Sequence, residues 1–377
     1  MGLTSQTFLL TLVVIAVAVT ALVLWLWPRA AKKGPLALVS RLGLLVMAQL
    51  CILSVLLVAA NNEFGFYSTW KELLGQNSRK QALRAGSGDG KRPPALTVKG
   101  QESIGLGPKE KAGRVDRIEI RGPVTGLSMD GFAYLPPQYF QKGHEKDTFP
   151  VIVSITGQPG QSINLITKAK VPQAASKAVM AGEMKPTIVL MLRPSVVADR
   201  DTNCTDVPGG PQALTFFNQD VPIAANDVYR VDNTRGAWGA VGNSTGGYCA
   251  LKMAMTNPYR YGAAAGLSTD LFARQDGTTG DLYAGNKQIR NESDLTWRLE
   301  HMSPPPVSLL LAASEKGEEK YYAQMVKFAE KGKSPTKVEK LVREEGGHNF
   351  VTWREEYPVV LRWLDRQLAD RSRSDHR

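Results

Sequence analysis

Five short apolar segments, each ending in a residue common in turns, constrain the fold of this chain more than any other feature. They lie at 149–157 (FPVIVSITG), 187–195 (TIVLMLRPS), 236–244 (GAWGAVGNS), 261–268 (YGAAAGLS) and 307–314 (VSLLLAAS). A strand that is buried on both faces of a parallel sheet reads as a continuous apolar run of this kind. Segments of helical character lie between several of them. The sequence therefore predicts an α/β fold with a largely parallel central sheet.

The segments around these five runs extend the same pattern. Residues 113–122 and 129–140 alternate like strands, and 337–344 also reads as a strand. The helical stretches lie at 212–231, 245–258, 318–332 and 357–371. The last of them has an apolar period of 3.6 residues. We therefore predict one α/β domain over residues 114–371, followed by a tail at 372–377.

Two long apolar runs precede this domain. The first extends over residues 7–27 and carries no charged side chain, and the second extends over residues 42–60. Each is long enough to cross a hydrocarbon core of about 30 Å as a helix. A cleaved signal peptide is the alternative for the first run, but it requires positive charge before the apolar stretch, and MGLTSQ has none. Residues 1–60 are therefore predicted to be a membrane anchor with two transmembrane helices.

The placement of lysine and arginine indicates how this anchor is oriented. Arg29, Lys32, Lys33 and Arg41 lie between the two runs. Basic loops stay inside, so both ends of the anchor are expected outside the cell. The basic residues after the second run argue the other way; they are Lys71, Arg79, Lys80 and Arg84. Residues 61–113 are rich in Gly, Ser, Pro and charge, and are predicted to be a juxtamembrane segment and flexible linker.

Charge and cysteine content narrow the classes of partner. The net charge is +11, but the basic residues are scattered and do not interleave with aromatic residues, so nucleic acid binding is not expected. The basic surface either faces anionic lipid or cell-wall polymer, or is simply a soluble surface. The three cysteines form no CxxC pair, so no metal site is predicted. Cys204 and Cys249 are a candidate disulfide, which an oxidising exterior would permit.

The segment VGNSTGGYCA contains a serine between two glycines at the spacing Gly-x-Ser-x-Gly. Ser244 follows a predicted buried strand and precedes a predicted helix, which is the context of a nucleophile elbow. A side chain at Gly242 or Gly246 would not fit so tight a turn. The backbone N–H of Thr245 then lies at a helix N-terminus and faces developing negative charge. Ser244 is therefore the predicted nucleophile.

A serine hydroxyl needs a base, and the chain has four histidines. His144 lies in a polar loop, His301 precedes a proline run and His376 is in the tail. His348 lies in the segment GGHNF, after the last predicted strand and before the final helix. Triads of this type follow the order Ser, acid, His along the chain. His348 is therefore the predicted base.

The remaining two elements of the site are less specified by the sequence. The acid is expected after the 307–314 strand, where Glu315, Glu318 and Glu319 are candidates, with Asp270 as a further one. The second oxyanion donor is expected after an early strand. The turn after 149–157 makes the backbone N–H of Gln158 the candidate, beside an ordinary Gly/Pro turn as the alternative.

With these residues assembled, the chain resembles the esterase D family of α/β-hydrolases, which includes secreted mycolyltransferases. YLPPQYF, FPVIVSITGQPG, GNSTGGYCALKMA and GGHNFVTW stand in that family's order over roughly residues 114–370. The resemblance implies an α/β-hydrolase fold, Ser244 as nucleophile, His348 as base and Glu318 as acid. The apolar anchor followed by FGFYSTW is similar to membrane-tethered actinobacterial members, which implies a hydrolase domain outside the membrane.

We therefore expect a membrane-anchored serine esterase or acyltransferase. The expected substrate is an acyl ester, of a lipid, a glycolipid or another cell-envelope component, and no cofactor or metal is implied. The alternative is a catalytically silent domain of the same fold that serves as a surface binding or assembly module. The presence of a serine, a histidine and several acids in the expected order favours the enzyme.

Overall fold

The structure is a computed structural model. It describes residues 2–3, 5–29, 34–64, 70–73, 94–105, 107–197 and 200–374. The chain divides into two compact units, Met1–Arg79 and Lys80–Arg377. The first unit consists of apolar helices, and the second is built around a mixed sheet.

The first unit contains α1 (Gln6–Leu26), α2 (Pro35–Phe64) and the short α3 (Trp70–Leu73). The predicted apolar runs lie in α1 and α2. Only 11% of the apolar window of α1 and none of that of α2 is buried within the structure. Apolar helices that leave most of their side chains exposed are unlike the core helices of a soluble domain. By length and composition both are candidate membrane spans, and α1, near the N-terminus, also fits a signal segment.

The second unit has a nine-stranded sheet in the order β1-β2-β3-β5-β4-β6-β7-β8-β9. The strands are β1 (Leu96–Glu102), β2 (Arg114–Arg121), β3 (Ser128–Leu135), β4 (Val151–Ile155), β5 (Ile188–Leu192), β6 (Trp238–Asn243), β7 (Tyr261–Leu267), β8 (Ser308–Lys316) and β9 (Lys337–Glu345). The neighbouring strands from β5 to β9 pair in parallel, and β1, β2 and β3 are antiparallel additions. The predicted α/β fold with a mostly parallel sheet is confirmed.

Helices cover both faces of this sheet. They are α4 (Lys109–Ala112), α5 (Ile163–Thr167), α6 (Val171–Met180), α7 (Ala213–Thr215), α8 (Val221–Val228), α9 (Thr245–Thr256), α10 (Lys287–Glu292), α11 (Leu295–His301), α12 (Glu319–Glu330) and α13 (Phe350–Ser374). A π-helical turn (Phe216–Asp220) joins α7 to α8, and a 3₁₀ turn (Pro137–Phe140) follows β3. The helices α8, α9 and α12 bury apolar residues in one core, and α6 and α13 do so in a second core on the other face. Every residue of β4 to β7 is buried, which is why these strands read as uninterrupted apolar runs.

The predicted boundary of the domain at residue 114 is too late. β1 and α4 lie inside the segment 61–113 that was expected to be a linker, and β1 pairs with β2 along its length. The sequence pattern of β1 is weak because it is an edge strand: of its seven residues only Leu96 is buried. At the other end α13 continues to Ser374, into the predicted tail. The linker residues 65–69 and 74–93, and His376, lie outside the described residues.

Candidate active site

Ser244 lies in a strained turn between β6 and α9. Its backbone angles are φ 55° and ψ −128°, a region that residues with a side chain rarely adopt. A Cβ at Gly242 would overlap the backbone of Gly246, and a Cβ at Gly246 would overlap the carbonyl of Ile155. Both glycines are therefore required by close backbone approach. The turn leaves the Ser244 hydroxyl free of any capping bond to α9.

The structure places His348 next to this hydroxyl. His348 Nε2 lies 3.0 Å from Ser244 Oγ, across 104 positions of the chain. The loop between β9 and α13 carries the imidazole, and a Cβ at Gly346 in this loop would overlap Ser314 Oγ. Gly347 donates its backbone N–H to Thr352 Oγ1 at 2.9 Å, which ties the loop to the first turn of α13. The position of His348 thus depends on the close contact of this loop with β8 and α13.

Two aromatic residues enclose the imidazole. The ring of Tyr321, from α12, stacks on His348 with centroids 4.9 Å apart, and the ring of Trp353, from α13, meets its edge at 5.1 Å. Trp353 Nε1 donates to Ser268 Oγ at 2.8 Å, which links α13 to the loop after β7. Burial lowers the pKa of His348 from its ordinary value of 6.5 and outweighs the opposite effect of Glu318. A neutral imidazole in contact with a serine hydroxyl can accept its proton.

Among the candidate acids, Glu318 is placed best. Its side chain is 3% exposed, and one carboxylate oxygen, Oε2, accepts the backbone N–H of Ser314 at 3.0 Å. The other oxygen, Oε1, is buried without a hydrogen-bond partner among the described residues, and so is His348 Nδ1. The Glu318 charge is also the largest electrostatic effect that raises the pKa of His348. Among the candidate acids, Glu318 therefore has the charge that acts most strongly on the imidazole.

The other three candidate acids have different surroundings. Glu315 and Glu319 are exposed, and Glu319 accepts the backbone N–H of Gly317 at 2.9 Å. The Asp270 carboxylate forms ion pairs with Arg274 at 2.7 Å and with Lys320. These carboxylates are solvated or already paired, so the geometry favours Glu318.

The predicted oxyanion donors flank the serine. Thr245 is the first residue of α9, where a backbone N–H has no partner inside the helix. Gly157, which precedes Gln158, packs so close that a Cβ there would lie 2.9 Å from Ser244 Cβ. The Gln158 side chain accepts from Ser195 Oγ at 2.9 Å. Within the described part of the chain, neither the Gln158 nor the Thr245 backbone N–H donates to a protein acceptor.

Several residues at this site were not predicted. Asn243 and Thr156, on either side of the elbow, have buried side-chain polar atoms that lack a partner among the described residues. Glu356 in α13 is 1% exposed, and burial followed by the charge of Glu318 raises the pKa of its carboxyl to about 8. The position of Asn243, directly before the nucleophile, was the only sequence signal for any of these. Tyr321 lies in an amphipathic helix, where nothing in the sequence distinguishes it from the other residues of that helix.

Cys204 and Cys249 are bonded in the structure, with their Cα atoms 5.3 Å apart. The bond joins the segment before α7 to the second turn of α9, the helix that begins at the elbow. The free cysteine of the described chain is Cys51, in α2. The described residues contain no group of three or more His, Cys, Asp or Glu side chains that could hold a metal ion.

Known structures share this architecture. A ferulic acid esterase superposes with a TM-score of 0.58 at 17% identity, over 69% of this chain and 100% of the other. The S-formylglutathione hydrolase from Agrobacterium tumefaciens gives 0.59 at 14% identity, over 72% and 99%. The fluorophosphonate-binding serine hydrolase F of Staphylococcus aureus gives 0.54 at 14% identity, over 67% and 98%. At sequence identities this low, the superpositions show that the fold is shared and nothing more.

Sequence comparisons identify the family. An uncharacterized protein of Corynebacterium glutamicum is 22% identical over 251 residues, which is 62% of this chain and 56% of that protein. The chain thus spans about half the length of this curated relative. The model of the Esterase family matches residues 123–364, more than half of the chain and the part that contains the elbow and His348. By this match the chain belongs to the Esterase family, and its sheet unit has the α/β-hydrolase fold.

Proposed function

We propose that this protein is a serine esterase or acyltransferase that forms an acyl-enzyme on Ser244. The observation that carries the proposal is the 3.0 Å contact between Ser244 Oγ and His348 Nε2. It joins a strained elbow serine to a half-buried imidazole whose pKa is lowered. Membership of the Esterase family supports the same chemistry.

In the first half of the reaction, His348 Nε2 accepts the Ser244 proton as Oγ bonds to the carbonyl carbon of the ester. The carbonyl oxygen gains the negative charge and accepts the backbone N–H groups of Gln158 and Thr245. The bond to the leaving alcohol then breaks, and His348 gives this alcohol the proton. The acyl group remains on Ser244.

In the second half, a hydroxyl oxygen bonds to the acyl carbon of the acyl-enzyme while His348 accepts the hydroxyl proton. The bond between the acyl carbon and Ser244 Oγ then breaks, and His348 returns the proton to Oγ. Water as the attacking molecule makes the protein an esterase. A sugar, lipid or protein hydroxyl makes it an acyltransferase. In both halves Glu318 accepts the Nδ1–H of His348 and stabilises the imidazolium that forms. This role fits its buried carboxylate, one oxygen of which already accepts the Ser314 N–H.

We further propose that the domain is anchored in the membrane and acts outside it on lipid or other cell-envelope esters. Two candidate spans and a net charge of +11 support this placement. The basic loop between the spans favours a cytoplasmic loop with both ends outside. The Cys204–Cys249 bond agrees with an oxidising exterior.

Labelling with a fluorophosphonate probe tests the nucleophile. We expect the full-length protein in membranes to be labelled, Ser244→Ala to lose the label, and Ser303→Ala, which removes an exposed serine, to keep it. Equal labelling of Ser244→Ala and the wild type would contradict the proposal. A folded wild type that neither takes the label nor turns over p-nitrophenyl esters would instead favour a silent binding module.

A further inference from the structure

A polar groove lies at the end of the sheet opposite Ser244. Its volume is about 690 Å³, and it lies between α8 with the preceding π-helical turn, the segment before β6, and the turn from α9 to β7. Ser244 follows the carboxyl end of β6, whereas the groove borders its amino end. The six residues of β6 separate them by about 17 Å. The groove is therefore distinct from the candidate active site.

The lining of the groove is dominated by side chains that both donate and accept hydrogen bonds. Five of its eleven residues are Asn or Gln, two are Arg, and the others include one Asp and one Tyr. Gln219, Asn226 and Asn233 are exposed. An amide offers a donor and an acceptor side by side, which matches a hydroxyl that does both. Pro222, Ile223 and the ring of Tyr259 add apolar surface to this lining.

Tyr259 provides a flat apolar surface at the edge of the groove. Its side chain is 68% exposed, an unusual value for a tyrosine in a folded domain. The guanidinium of Arg235 lies over the ring, 4.4 Å from its centroid, which favours one ring orientation. An exposed, oriented aromatic ring is a stacking platform for a flat molecule with C–H groups on its face.

The polar wall is held in place before any ligand binds. Asn233 donates to Asn226 Oδ1 at 2.5 Å and accepts from Arg260 Nη1 at 3.1 Å. Arg260 in turn lies over the buried ring of Trp238. A π-helical turn, a feature frequent at functional sites, forms one side of the groove. Side chains already fixed in this way lose little conformational entropy on binding.

We propose that this groove binds a carbohydrate chain. Sugar hydroxyls match the amide-rich wall, and the C–H face of a sugar ring matches Tyr259. A peptide helix or an acyl chain would need a continuous apolar surface, whereas nine of the eleven lining residues carry polar or charged side chains. A polyanion would need free basic groups, whereas Arg235 and Arg260 already contact aromatic rings and Asp227 adds a negative charge.

Calorimetry on the full chain in lipid nanodiscs, without sugar-based detergents, tests the proposal. The probes are the hexasaccharides of glucose, galactose, mannose, arabinose and N-acetylglucosamine. We expect at least one to bind saturably. Tyr259→Ala should weaken this binding by about tenfold or more, and Tyr259→Phe should retain it because the ring remains.

Two controls separate this site from catalysis and from general damage. Met180→Ala removes a similarly exposed apolar side chain on α6 (63% exposed) and should leave sugar binding unchanged. Ser244→Ala should also bind the sugar as the wild type does, and Tyr259→Ala should keep wild-type turnover of p-nitrophenyl esters. Failure of all five sugars to bind, or equal binding by Tyr259→Ala and the wild type, would overturn the proposal. So would loss of binding in Ser244→Ala alone.

Discussion

At the residue scale, burial sets the protonation state that the proposed chemistry needs. His348 is enclosed by Tyr321 and Trp353, and this burial lowers its pKa below 6.5. The imidazole is therefore neutral at neutral pH and can accept the Ser244 proton. The imidazolium formed during the reaction is then the costly state, and Glu318 is the negative charge best placed to stabilise it.

Replacement of Glu318 tests this assignment. Glu318→Gln keeps the size of the side chain and removes its charge, so the imidazolium loses its stabilisation. We expect kcat/KM for p-nitrophenyl esters to fall by about 100-fold or more. The acid limb of the pH profile of kcat/KM should also move to lower pH, because the loss of the negative charge lowers the pKa of His348 further. Steady-state kinetics across pH would measure both changes.

The adjacent glutamate is the matched control. Glu319→Gln changes an exposed carboxylate in the same turn and should leave kcat/KM within about threefold of the wild type. A large loss in Glu319→Gln with little change in Glu318→Gln would reverse the assignment. Asp270→Asn tests the remaining candidate, whose carboxylate forms ion pairs with Arg274 and Lys320.

At the scale of elements, α13 supports the site from behind. It packs Trp353 against His348, and Tyr357 in the same helix meets Ser154 of β4 at 3.2 Å. Glu356 lies between these two on the helix and is almost fully buried, with neither carboxylate oxygen bonded to a described residue. A buried carboxyl without a partner favours its protonated form, and the nearby charge of Glu318 adds to this preference.

The stability of the domain should therefore depend on the ionisation of Glu356. Its pKa is about 8 in the folded protein and near 4.5 when the chain is unfolded. Below pH 4.5 the Glu356 carboxyl is protonated in both states, so its ionisation does not lower the free energy of unfolding. The loss of stability from its ionisation grows as the pH rises from 4.5 to about 8. Glu356→Gln cannot ionise, so we expect it to exceed the wild type in free energy of unfolding by about 4 kcal/mol at pH 8, and by less than about 1 kcal/mol at pH 5. Thermal unfolding at both values would measure the difference.

The neighbouring Glu355 is a suitable comparison. It is exposed and pairs with Arg343. The positive charge of Arg343 lowers the pKa of Glu356 and so opposes part of the rise that burial and Glu318 cause. Glu355→Gln should show no such growth of stability with pH. The prediction is contradicted if the difference in melting temperature between Glu356→Gln and the wild type is the same at both pH values.

At the scale of the whole molecule, the chain combines an apolar helical unit with an α/β-hydrolase unit. The proposed arrangement has the second unit outside the membrane. We expect a protease added to intact cells to digest an epitope at the C-terminus, because the chain after α2 would be exposed. Immunoblotting before and after cell lysis would measure protection. Protection in intact cells and digestion only after lysis would reverse the proposed orientation.

Local sequence features determined the class of fold and two members of the candidate site. Strands buried on both faces must be apolar throughout, so β4 to β8 could be predicted from continuous apolar segments of the sequence. The elbow could be predicted because the contacts that constrain it are local. The close backbone contacts that exclude a side chain involve Gly242, Gly246 and the adjacent strand. His348 followed from its order in the chain and its glycine-rich loop. The edge strand β1 was missed because an exposed strand has no such pattern.

The tertiary structure alone decided what depends on distance between elements. Four carboxylates fitted the acid by sequence. Burial distinguishes Glu318 from the exposed Glu315 and Glu319, and the ion pairs with Arg274 and Lys320 set Asp270 apart. The stacking of Tyr321 and the burial of Glu356 arise where α12 and α13 meet the site. The groove around Tyr259 joins segments that are distant in the chain. Such contacts form across the fold, and residue type and spacing do not encode which side chains the packing of helices and strands brings together.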